Sequence, residues 1–197
     1  MASDYDPLVP PADLSSEASD LEQVRELFSR SADRFLRSPS SWVVWAVVLV
    51  AAALLTPRLP SRGPVAVVVL WSVAILVGGV FEGLALMRGG RGGNRSELAS
   101  WVLRSQGNLS LVAVALSVAL IWKGLPGLLP ALWLLVLGHS FFAHGGLGFT
   151  PFRVAGLIYQ AGGLAALLPG IDPLLAFAMG AGSGNLWLAY SVGRRRR

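Results

Sequence analysis

A chain of 197 residues in which 54% of side chains are hydrophobic and 14% charged has too few charges to cover a water-facing surface. With a mean hydropathy of +0.61 it cannot be a disordered chain, which needs low hydrophobicity and high charge. The absence of cysteine excludes disulfides, thiolate metal sites and a cysteine nucleophile. The net charge of +5 hides an asymmetry: residues 1–40 carry eight acids against four arginines, and the rest carries twelve basic residues against three acids.

Taken in chain order, residues 1–18 read as a disordered acidic tail. The segment from Met1 to Pro11 is acidic and proline-rich and lacks the apolar core of a secretory signal. Residues 19–38 read as an amphipathic cytoplasmic helix. Ser19 and Glu22 form a capping box, and Leu21, Val24, Phe28, Ala32 and Phe35 recur at helical spacing. Pro39 is expected to end this helix. Its apolar stripe suits the bilayer surface or a partner, and its acid-rich polar face argues against anionic lipid.

Six apolar stretches follow, near 41–56, 65–87, 109–122, 126–143, 151–168 and 173–192. A spanning helix needs about 20 residues, so the third is expected to extend back to Ser96, a good N-cap followed by a proline-free run. Pro64, Pro151 and Pro173 stand in first turns, where a missing N–H is tolerated. The glycine-rich run around Arg91 lacks the lysine and hydroxyl of a phosphate loop and reads as a linker. The fold expected is therefore an all-α integral membrane protein, a six-transmembrane helix bundle over 40–193 followed by a basic tail at 194–197.

Orientation follows from the basic residues. With the N-terminus inside, cytoplasmic segments hold thirteen of them and outer loops only Arg58, Arg62 and Lys123. That split predicts cytoplasmic N- and C-termini in a bacterial plasma membrane. Trp42, Trp45, Trp101, Trp122 and Trp187 lie near helix ends, as an interfacial aromatic belt requires. Because the cations sit in short spacers between apolar runs, nucleic acid is not an expected partner.

In this topology the polar side chains gather toward the cytoplasmic half. Glu82, Arg104, Gln106, Asn108, His139, His144, Arg153, Gln160 and Asn185 form a candidate ligand- or proton-binding cluster, with Glu82 either lining a cavity or neutralised by Arg104 or Arg153. His139 and His144 are the only histidines. At five residues apart they point about 140° away from each other and cannot readily share a metal ion. Singly, either has the chemistry of an axial ligand to haem or a chlorophyll-type pigment. Phe141, Phe142, Phe149 and Phe152 flank them and suit a headgroup-level turn or the wall of a lipid or quinone site.

Small residues suggest helix contacts. Ala176, Gly180 and Gly184 repeat every four residues, and Ala178 with Gly182 forms a neighbouring strip, with Gly78, Gly79, Gly83, Gly156, Gly162 and Gly163 as possible facing surfaces. A helix break between Gly180 and Gly184 is the alternative. No hydrolase or nucleotide motif and no paired carboxylates are present, so a non-enzyme is expected. The features fit an accessory, scaffold or sensing subunit with protein partners in the membrane or a second copy of itself. The competing reading is a small proton-coupled transporter using Glu82, whose weakness is an outer half nearly devoid of polar groups.

Overall fold

The computed structural model describes residues 39–59, 64–89, 97–146 and 150–194. The acidic tail, the amphipathic helix at 19–38, most of the glycine-rich loop, Phe149 and the last three arginines lie outside the described residues. Those described form six helices and no strands. They are α1 (Pro39–Leu55), α2 (Pro64–Gly89), α3 (Glu97–Trp122), α4 (Leu129–Gly145), α5 (Thr150–Ala165) and α6 (Pro173–Arg194). Single 3-10 turns, Thr56–Arg58 and Pro126–Leu128, follow α1 and precede α4.

Local chemistry accounts for the boundaries. Pro39 opens α1, since a proline at the first helical position loses nothing. Asp172 caps α6: its Oδ1 accepts from the backbone N–H groups of Leu174 at 2.8 Å and Leu175 at 2.9 Å. Gly124 (φ 73°) and Gly170 (φ 84°) take the left-handed turns on which α3 and α5 give way to their successors. Beyond Ala165 the bonds tighten, with Leu167 N–H donating to Leu164 and Leu168 to Ala165. The helix therefore stops before its apolar run does. Gly180 and Gly184 lie within an unbroken α6, so the suggested break is absent.

Among the described residues four stretches are long and apolar enough to cross a membrane: Pro39–Arg58, Val65–Ala85, Arg104–Trp122 and Pro126–Gly145. α5, with 16 residues, is about 24 Å long, and α6 has the length but a Gly-, Ser- and Asn-containing sequence. The reason is visible in α6's surroundings. Eleven of its 22 residues are buried, and a helix wrapped by other helices need not be apolar.

Contacts define a core of α1, α6, α5 and α4. α4 packs most extensively on α5, α1 on α6, and α5 on α6. Leu49 and Ala53 of α1, Leu134 of α4, Tyr159 of α5, and Phe177, Ala178 and Ala181 of α6 meet in its middle. An aromatic group closes one end, with ring centroids 6.0 Å apart for Trp42–Phe141, 5.8 Å for Trp42–Phe152 and 5.2 Å for Phe141–Tyr159. α2 lies against α1 and touches α6 through Trp71 on Phe177, while α3 lies against α4. Successive helices run antiparallel. Contacts gather the starts of α1, α3 and α5 and the ends of α2, α4 and α6 at a single end.

Candidate functional site

The candidate polar residues fall on different helix pairs, and each pair is a sequential hairpin. In α1–α2, the Trp45 indole Nε1–H donates to Glu82 Oε2 at 3.0 Å. The Glu82 carboxylate is thus engaged by an indole, in place of the anticipated Arg104 or Arg153. Toward the other end, Trp71 Nε1–H donates to Thr56 Oγ1 at 3.0 Å, and that hydroxyl donates to the Ala52 carbonyl at 2.7 Å. Gly78 makes room for the Trp45 ring: a Cβ there would stand 2.6 Å from it, whereas Gly79 and Gly83 face open space.

The α3–α4 hairpin repeats the device. Trp133 Nε1–H donates to Ser117 Oγ at 3.1 Å, and Ser117 donates to the Ala113 carbonyl at 2.7 Å. Near the opposite end the Ser140 hydroxyl donates to Gln106 Oε1. Ser140 Oγ also lies 3.2 Å from His144 Nδ1. This Ser–His contact is no nucleophilic dyad: Ser140 is 3% exposed and its proton is held by an amide.

In α5–α6, Asn185 Nδ2 donates to the Tyr159 hydroxyl at 2.8 Å, and Trp187 Nε1–H donates to the Pro151 carbonyl at 3.2 Å. The remaining candidates sit elsewhere. Arg104, Asn108, His139 and Arg153 are exposed and Gln160 is half-buried. The Arg153 guanidinium lies over the Phe142 ring, 5.9 Å from its centroid. Phe141 and Phe152 are stacked at 5.5 Å within the aromatic group, so those two rings are engaged by the protein itself. Among the described residues no three His, Asp or Glu side chains converge as a metal site.

Close approach at glycine adds to these hydrogen bonds, both between hairpins and within α5–α6. Gly138 of α4 and Gly156 of α5 stand back to back. A Cβ on Gly138 would meet Gly156 O at 2.9 Å, and one on Gly156 would meet Gly138 O at 2.6 Å. The two strips on α6 face different neighbours. Gly180 abuts Gly162 of α5 and Gly184 abuts Tyr159, with Ala176 on the same strip, while Gly182 abuts Val50 of α1 and Ala178 joins Leu49 and Ala53.

Sequence reasoning passed over Ser140, Thr56, Ser117 and Tyr159 as polar partners. A signal existed for Ser140, four residues before His144 and therefore on the same face. The hydroxyl–tryptophan pairs Thr56–Trp71 and Ser117–Trp133 lie 15 and 16 residues apart, a near-repeat that a search for equal hairpins could find. No protein-family model, curated protein or solved structure matches this chain.

Proposed function

We propose that this is a non-catalytic bacterial inner-membrane protein that crosses the bilayer six times with both termini in the cytoplasm. It serves as an accessory, scaffold or sensing subunit of a larger membrane assembly. The observation that carries the reading is the isolation of the flanking helices. Only 11% of the apolar window of α2 and 6% of that of α3 is buried within the chain. Both remain apolar around most of their circumference, with Val68, Leu76, Leu111 and Val118 among the exposed side chains. Such flanks suit lipid and the helices of other subunits, while the four inner helices supply a self-sufficient core. Polar groups spent on clasps within hairpins favour a structural role for the cluster.

The test is gentle purification from the native membrane. Stoichiometric co-purifying subunits, or a visible haem or pigment band, are the expected result, and a colourless solitary monomer overturns the assignment. Because the chain lacks cysteine, Arg195→Cys gives a clean topology probe, expected to react with an impermeant thiol reagent only after sealed cells are opened. The transporter alternative is favoured by the half-buried Glu82 carboxylate. It predicts that Glu82→Gln abolishes pH-dependent uptake into proteoliposomes.

A further inference from the structure

The outer side of the α4–α5 seam carries polar groups that none of the clasps uses. Arg153 is the only lysine or arginine between Lys123 and Arg194. It is exposed, and its guanidinium rests on the exposed ring of Phe142. Nη2 lies where a Cβ on Gly146 would stand 3.3 Å away. Among the described residues no carboxylate pairs with it. Deeper along the same seam, Gln160 presses its Cγ against Gly138, 2.8 Å from where a Cβ would be. His139, the next residue on α4, is exposed. At about 100° per residue His139 turns away from the core-facing Leu134 and Phe141, toward the Phe142 side. Neither Gln160 nor His139 makes a hydrogen bond among the described residues.

Polar groups facing hydrocarbon without partners are costly, and three of them flank one seam with the cation nearest the end. Seven residues separate Arg153 from Gln160, about 10 Å of helix. That distance covers the headgroup layer, about 5–7 Å per leaflet, and reaches the edge of the hydrocarbon. We propose that this outer face of the seam binds the headgroup of an anionic phospholipid. Arg153 grips the phosphate through its planar fork, and Gln160 and His139 meet the glycerol and ester oxygens beneath. Phe142 and Leu157, both exposed, line the path of the acyl chains. The proposal rests on the membrane reading above.

The experiment uses full-length protein in mild detergent, titrated with phosphatidylglycerol, phosphatidylcholine or inorganic phosphate and read by native mass spectrometry and thermal shift. Phosphatidylglycerol is expected to bind about tenfold more tightly than phosphatidylcholine, and Arg153→Gln to remove about that factor, the worth of a charged hydrogen bond. His139→Ala and Gln160→Ala should each weaken binding severalfold. Arg58→Gln, which removes an exposed cation at the other end of the bundle, should leave it unchanged. Equal binding of the two lipids, or undiminished binding by Arg153→Gln, overturns the site, and inorganic phosphate matching the lipid overturns the lipid as occupant. If Arg153→Gln does not fold, the histidine and glutamine variants decide the same question. Release of the chain from membranes by alkaline carbonate would overturn the membrane reading itself. Retention without lipid selectivity overturns only the lipid site.

Discussion

Asn185 of α6 and Tyr159 of α5 hold each other by a 2.8 Å hydrogen bond at a depth where the asparagine is 2% and the tyrosine 1% exposed. Truncating the asparagine leaves the Tyr159 hydroxyl buried without its partner, a group that has lost its solvation and gains nothing in return. Asn185→Ala is therefore expected to lower stability by about 1–3 kcal/mol, measured by unfolding in mixed micelles. A double-mutant cycle with Tyr159→Phe should return a coupling of about 0.6 kcal/mol, and no more than about 1.7, the range found for hydrogen bonds between membrane helices. Additive effects would show that the pair merely coexists.

Glycine matters at particular places. Gly138→Ala drives a methyl into the backbone of α5, with Gln160 N and Gly156 O both 2.9 Å from it. The helices must separate, at a cost of about 1–3 kcal/mol. Gly79→Ala meets nothing and, by replacing a glycine in a helix, should be neutral or stabilising by up to about 1 kcal/mol. Thermal denaturation of the two variants side by side checks the contrast.

The hydroxyl–tryptophan clasps are expected to act as local fasteners. Trp71→Phe and Thr56→Val remove the two sides of one hydrogen bond, so their combination should cost less than the sum of the single effects. Trp71→Phe combined with Trp133→Phe touches separate hairpins and should be additive within about 0.5 kcal/mol. Unfolding free energies of the five variants provide the comparison.

At the α1–α2 clasp the acceptor matters more than the charge. Glu82→Gln keeps a carbonyl oxygen for the Trp45 indole and should change stability little, whereas Glu82→Leu strands that N–H and should cost about 1–3 kcal/mol. Thermal stability of both variants in the same detergent is the measurement. A larger loss for the glutamine than for the leucine variant would contradict the clasp.

The sequence made the axial layout legible, and the lateral layout escaped it. Long apolar runs, prolines in first turns and the backward extension of the third stretch all depend on residues near in sequence, and they appear in the helices: α3 begins at Glu97, and Pro64, Pro151 and Pro173 stand in the first turns of α2, α5 and α6. Whether Glu82 meets Trp45 or Arg104 depends on how two helices are rotated about their axes, which hydrophobicity does not encode when every face is apolar. The same holds for Gln106, which finds Ser140 across 34 positions, and for Asn185, which finds Tyr159 across 26. α6 shows the converse: its small-residue strips announce contact, and the partners, α5 on one side and α1 on the other, emerge only from the packing.

α2 and α3 follow one another along the chain yet attach to different members of the core, and α1 and α4 are not extensively packed on each other, meeting at Trp42 and Phe141 and in the shared core. The first and second hairpins are consequently joined by the third, which wedges between them. Since residues 150–194 are synthesised after both, the earlier hairpins must stand as separate units, each fastened internally, until their keystone arrives.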